Sequence, residues 1–368
     1  QSAKTVIAAE LRPPRAELGS LEGMDAWIDT YHAVRTLTKQ DVAVFLTDSA
    51  VGKQEENNLR HLVTNLGPDM RRELIVPFLT TKHSLDFCLS YAEQASQHGF
   101  PALVVLGGDR SLGRPRCVEH AWELRRRIKV HEPRLTLGGW ANPYGDPERQ
   151  AGYLADDSFT AEFYLTQIVS HLTPGPVEAF LAESRQRGLA QPGMFGVFYY
   201  RSANPKTLRM LAQFLPVPVD ELLREFAAGA TPVDVCARTL RALMDMGARH
   251  FYISNLPIGQ AASTLTASRP PSAGWPVAGS TRWWTRWPSA LDHWRVRRLL
   301  VATAPQGTPS TASSAPSWYG SATPICQPCP LGDSPRQTVS PPRLTHTPSA
   351  PAASSSPTTR SAARPLPI

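Results

Sequence analysis

Along the first 258 residues, short continuous apolar runs alternate with stretches whose apolar residues recur at helical spacing. Eight runs predict strands: Thr5–Leu11, Asp41–Leu46, Glu73–Phe78, Ala102–Leu106, Thr136–Trp140, Glu162–Leu165, Met194–Phe198 and His250–Ile253. They are rich in Val, Ile, Leu, Phe and Tyr and lack the polar alternation of a half-exposed strand, so both faces are expected to be covered. Between them, Leu85–His98 repeats Leu85, Leu89, Ala92 and Ala95 along one helical face and stops at Gly99. Val233–Met246 does the same and stops at Gly247, and Pro218–Ala228 adds a helix before it, so the seventh crossover is long. Eight strand–helix units in about 255 residues predict an α/β fold of the (β/α)8 TIM barrel type. The alternative is a doubly wound open sheet, which usually carries a glycine-rich turn after its first strand. Here that turn is Arg12-Pro13-Pro14.

The pattern ends abruptly. After Ile258 the chain holds eighteen of its thirty-five prolines and six of its nine tryptophans, with Ser, Thr and Ala dominant. Proline at that density prevents regular structure. The division is therefore a barrel over residues 1–265 and a Pro/Ser/Arg-rich tail over 266–368. The eighth helix is expected to stop soon after Gln260-Ala261-Ala262-Ser263-Thr264-Leu265. Two origins of the tail stay open: a disordered basic extension, or out-of-frame translation of GC-rich DNA. The second is favoured, because such codons give Arg, Pro, Ala, Ser, Gly and Trp with almost no Lys or Glu.

Charge first suggests a nucleic-acid or acidic-membrane partner, since the net value is +7. From Gly259 onward, however, there are ten Arg, two Asp and neither Lys nor Glu, which places +8 in the tail and −1 in the body. No nucleic-acid or membrane partner is expected. Cys88, Cys117 and Cys236 fall singly in the body, as in a reducing, cytoplasmic compartment. No run reaches the ~18 apolar residues of a membrane span, and no signal peptide is expected. The chain begins at Gln1 rather than Met, as a processed chain or one starting inside its reading frame would.

In a barrel of this type the active site lies at the C-terminal strand ends. The polar residues there are Glu10; Thr47, Asp48 and Ser49; Thr80 and Thr81; Asp109; Asn142, Tyr144 and Asp146; Gln167; Tyr199 and Tyr200; and Asn255. Glu10 lies inside the apolar Val6-Ile7-Ala8-Ala9-Glu10-Leu11. Desolvation there would raise its pKa and suit it to general-acid work; equally, it could pair with Arg12 or Arg15. Asp109 follows Gly107-Gly108, where a ligand can approach the backbone closely, or it caps a turn or the next helix. Gln167 offers an amide that can both donate and accept towards a ligand, or caps its strand. His120 and His131 are expected at the surface, and no histidine has metal-ligand spacing. Arg125-Arg126-Arg127-Ile128-Lys129 is expected to be a solvated helix face. Cys326-Gln-Pro-Cys329 stands alone in the tail, without the second pair a metal site needs.

Six segments, in order and each at or after a predicted strand, together resemble the methylenetetrahydrofolate reductase family. They are Glu10-Leu11-Arg12-Pro13-Pro14, Gly107-Gly108-Asp109, Asn142-Pro143-Tyr144-Gly145-Asp146-Pro147-Glu148, Leu165-Thr166-Gln167, Asn204-Pro205-Lys206 and His250-Phe251-Tyr252-Ile253-Ser254-Asn255. The resemblance implies reduction of 5,10-methylenetetrahydrofolate to 5-methyltetrahydrofolate by hydride from NAD(P)H, directly or through FAD. It implies that Glu10 is the general acid for opening the folate imidazolidine ring, giving an iminium that accepts hydride. Asp109 would orient and polarise the pterin or cofactor. Gln167, Thr47, Asn142 and Tyr199 would bind substrate, and Thr47, Gly108, Asp109, Tyr144 and Asp146 the cofactor. No metal is implied. The departures fall mostly where flavin-containing members contact FAD: Gly107 replaces an Arg, Asp146 a His and Asp156 a Lys. Thr207 and Leu256 also replace a folate-contacting Gln and an Arg. Reversing a charge beside a diphosphate weighs against FAD, and the pattern is similar to divergent reductases that pass hydride directly to folate. A non-catalytic folate-binding barrel, or an inactive product truncated in its last helix, is the alternative.

Overall fold

A computed structural model describes residues 5–14, 18, 20–49, 59, 63, 70–110 and 112–270. All belong to the first of the chain's two units, Gln1–Ala304. The tail from residue 271 onward, with Cys326 and Cys329, lies outside the described residues, as does Arg15.

The elements run β1 (Val6–Leu11), α1 (Ser20–Lys39), β2 (Ala43–Leu46), β3 (Ile75–Thr80), α2 (Leu85–Gln97), β4 (Ala102–Leu106), α3 (Ala121–His131), β5 (Thr136–Ala141), α4 (Pro147–Ala155), β6 (Phe163–Val169), α5 (Pro174–Gln186), β7 (Gly193–Phe198), α6 (Pro205–Leu211), α7 (Val219–Ala227), α8 (Pro232–Asp245), β8 (His250–Ser254) and α9 (Ala261–Ala267). Eight parallel strands close in sequence order, β8 returning to β1 through pairs such as Ala8 with Tyr252. The barrel expected from the apolar runs is therefore the observed fold, and the open-sheet alternative falls. The last helix ends at Ala267, close to its expected stop.

Local chemistry sets the boundaries. Ser84 caps α2 by accepting from Phe87 N, and Gly99 ends that helix with φ of +82°. Thr231 and Asp234 cap α8 reciprocally, with Pro232 in its first turn. Two strands start later than their apolar runs. Asp41 takes a positive φ and pairs with Arg71, which also bonds Glu73, so residues 71–74 form a turn ahead of β3. Strand β6 runs past its expected end and shifts register against β7 between Leu165 and Ile168. Gln167 is consequently within a strand rather than after one.

Each strand feeds two cores. Ala8, Phe45, Val76, Phe78, Val104, Phe163, Leu165, Met194 and Tyr252 fill the barrel interior, while alternate residues such as Ala9, Val44, Val105, Phe195 and Ile253 pack against the helices. The interior is filled to contact. Tyr252 crosses it, donating its hydroxyl to Thr166 O, and its ring occupies the space where a Cβ on Gly196 would stand. The Arg125–Lys129 run departs from expectation. Arg126 and Arg127 are exposed, but Arg125 and Ile128 are buried, and Lys129 pairs with Glu162. Arg125 is 4% exposed and donates to Val105 O and twice to Phe159 O, so α3 turns this guanidinium inward.

At the start of β8, His250 accepts from Val6 N through Nδ1, and burial pushes its imidazole down to about 4. A depressed histidine must stay neutral to fold. Its contribution is complete above its ordinary value of 6.5 and is lost as pH falls towards 4. Acidification across that window should remove about 3 kcal/mol. His250→Asn keeps an acceptor for Val6 without titrating, so urea midpoints measured across this range should slope less steeply in the variant; an unchanged slope would locate the effect elsewhere.

Candidate active site

Parallel closure puts every C-terminal strand end at one mouth, and alternation along each strand decides which side chains face into it. On β1, Ala8 belongs to the interior, so Glu10 does too; on β8, Tyr252 places Ser254 inward. The two meet: Ser254 Oγ donates to Glu10 Oε1 at 2.7 Å. Burial raises the Glu10 carboxyl above its ordinary range, and the Ser254 hydrogen bond only partly offsets this. Arg12 is exposed and makes no ion pair with Glu10 among the described residues, which removes the Arg12 pairing considered for this position.

The β2 and β3 ends form a dense polar knot. The Asp48 carboxylate, 7% exposed, accepts from Ser49 N at 2.7 Å, Thr80 N at 2.8 Å, Thr80 Oγ1 at 2.9 Å and His83 Nε2 at 2.8 Å. The His83 ring lies tilted against Phe87, with centroids 4.7 Å apart. Thr47 N donates to Leu11 O, tying the β2 end to β1. Thr81 Oγ1 donates to Gly107 O, and the buried Lys82 ammonium donates to Leu112 O and Arg114 O at 2.7 Å each. A buried ammonium met by two carbonyls fixes the loop after β4. His83 and Lys82 were not among the sequence candidates. Nothing in the order of residues shows that the loop after β3 meets Asp48 and the loop after β4.

Asp109 Oδ1 accepts from Leu112 N, so one carboxylate oxygen closes a turn, and α3 begins only at Ala121. Gly108 has φ of +68°, and its carbonyl accepts from Arg116. The Arg116 guanidinium covers the α-carbon of Gly107, leaving no room for a Cβ there. Asn142 Oδ1 accepts from Tyr144 N, and the Tyr144 hydroxyl meets Thr173 Oγ1 at 3.2 Å. Asp146 is committed to capping α4, accepting from Arg149 N. Gln167 Oε1 accepts from Ile168 N, which leaves its Nε2 as the donor. Tyr199 is buried in the helix-side core, where its carbonyl accepts from Asn255 Nδ2; its neighbour Phe198 is half-exposed. The structure thus brings Glu10 with Ser254, and Asp48 with Thr80 and His83. It does not bring Tyr199 to the inner face.

A further residue at this mouth was missed. Gly138 meets Phe163 and Val104 of the interior, and Trp140 pairs in register with the interior Leu165. Trp140 therefore points inward at the top of β5, and it remains 38% exposed. Among the described residues, no cluster of His, Cys, Asp and Glu could hold a metal ion, and no helix is long and apolar enough to cross a membrane.

No protein-family model matches this sequence, and no curated protein does. Solved structures do match. One, from Clostridium thermocellum, is an uncharacterised protein that binds two copies of 5-methyl-5,6,7,8-tetrahydrofolic acid; it shares 15% identity over 72% of this chain and 94% of its own, with a TM-score of 0.51. The aldolase QR15 (9% identity, 72% and 93% coverage, TM-score 0.37) and a monomeric dihydrodipicolinate synthase variant (15%, 72% and 96%, TM-score 0.32) also match. At these identities the first likeness shows the fold, a closed parallel barrel wrapped in helices.

Proposed function

We propose that this barrel reduces 5,10-methylenetetrahydrofolate to 5-methyltetrahydrofolate with hydride from NADH or NADPH. The observation that carries the reading is Glu10: an inward-facing carboxyl at the mouth, oriented by Ser254 and shifted towards its protonated form. A carboxyl that holds its proton more tightly than an exposed one can deliver it to a departing nitrogen as the imidazolidine ring opens. Ser254 donates to Oε1, which favours the proton on Oε2, the oxygen left for the ligand. Gln167 Nε2 supplies a donor for a pterin edge. The reduced nicotinamide supplies the hydride when bound. The folate class is also what the Clostridium thermocellum barrel binds.

FAD fits poorly. Asp156 is exposed, and its hydrogen bonds to Ser158 hold its carboxyl below the ordinary range, so it is an anion at neutral pH. Asp146 is a second carboxylate in the same stretch, occupied as a helix cap. Two acidic groups repel a diphosphate, and no step is assigned to a flavin. Purified protein should oxidise NADH or NADPH only when methylenetetrahydrofolate is present, at a rate unaltered by added FAD. Folate binding without any nicotinamide oxidation would instead support a binding protein.

A further inference from the structure

Among the described residues, Trp140 is the largest apolar side chain exposed at the inner face of the mouth, and the strand that carries it explains why it stays there. Gly138, two residues below on the same face, surrenders its side-chain space to the Phe163 ring. On the neighbouring strand β6, Phe163 and Leu165, the register partners of Gly138 and Trp140, are both fully buried in the barrel interior. Behind it, Gly139 receives the Phe159 ring, which in turn lies under the Arg125 guanidinium, 4.9 Å from the ring centroid. Strand β5 is thus clamped on both sides of Trp140. The indole itself makes no hydrogen bond and no ring stack with any described residue. Burying an indole normally stabilises a fold, and a rigid strand that holds one up to solvent at a ligand-facing position offers it as a flat surface.

We infer that Trp140 is the stacking surface for the pterin ring of the substrate. This rests on the folate reading above and names a contact for it. The neighbouring β6 carries Gln167, whose Nε2 donor can meet the polar edge of the ring that the indole covers. A fused bicyclic heterocycle matches an indole in area, and offset stacking between the two adds affinity beyond burial alone.

The test is equilibrium dialysis of 5-methyltetrahydrofolate against the full chain, its Trp140→Ala variant and its Trp140→Phe variant, together with the KM for NADH. Trp140→Ala should weaken folate binding roughly tenfold, Trp140→Phe should recover most of it, and the NADH KM should stay unchanged. Trp140→Phe keeps an aromatic ring at the site, so its recovery of binding separates lost stacking from a general loss of packing in Trp140→Ala. Folate binding unchanged in Trp140→Ala, or a loss confined to NADH, overturns the assignment while the functional reading stands. Wild-type protein that binds no folate overturns both.

Discussion

Replacing Glu10 with Gln should lower turnover about 10²- to 10⁴-fold, the range for removing a positioned general acid, and at the same time raise the melting temperature. The two effects have one cause. Inside the mouth the carboxyl is desolvated, and among the described residues Ser254 alone donates a hydrogen bond to it, so its charged form is disfavoured. A carboxyl whose folded pKa is raised costs stability wherever it must ionise: the cost is present above its folded pKa and disappears as pH falls below its ordinary value. Gln removes that cost at neutral pH while keeping an oxygen for the Ser254 hydroxyl. The same logic sets the pH profile. The wild-type rate should fall as pH rises through the Glu10 pKa, and this basic limb should vanish in the variant. Turnover unchanged by the substitution would remove Glu10 from the chemistry.

The second large effect lies outside the mouth. Arg125→Ala should cost about 3 kcal/mol or more in urea unfolding, because Val105 O and Phe159 O lose their donors inside a closed core and a cavity remains. Burial pulls this guanidinium down to about 10, so it is still charged at neutral pH, met by carbonyls and by the field of Glu162. Activity should fall as well, since Phe159 packs against Gly139 directly behind Trp140. Arg126→Ala, one position along and exposed, should change stability by less than about 0.5 kcal/mol. A similar cost for both would show that the buried contacts of Arg125 contribute nothing.

These cases show where the sequence was informative. The eight strands were legible because parallel strands covered on both faces are continuous apolar runs, and the helix stops at Gly99 and Gly247 because both take positive φ. Glu10 was legible for the same reason: a carboxylate stands out inside an apolar strand. Arg125 was not, since a run of cations looks solvated until the helix phase is known, and only its turn towards Phe159 reveals the burial. Gln167 was displaced by the register shift in β6, which leaves no mark in the pattern. Trp140 ended a predicted strand, but its inward direction follows from the Phe163 ring over Gly138, a contact between two strands. The bonds from Lys82 and His83 join loops far apart in sequence and became visible only with the barrel closed.

Hydride transfer from a nicotinamide to a folate-bound carbon leaves an isotopic mark that can be followed. The direct measurement uses NADH deuterated at the transferring position of its nicotinamide ring, with 5,10-methylenetetrahydrofolate, purified full-length protein and no added flavin, and mass spectrometry of the folate product. The expected product is 5-methyltetrahydrofolate carrying the deuterium in its methyl group, formed far more slowly by Glu10→Gln. Folate that binds but is recovered unreduced, with the NADH intact, would contradict it.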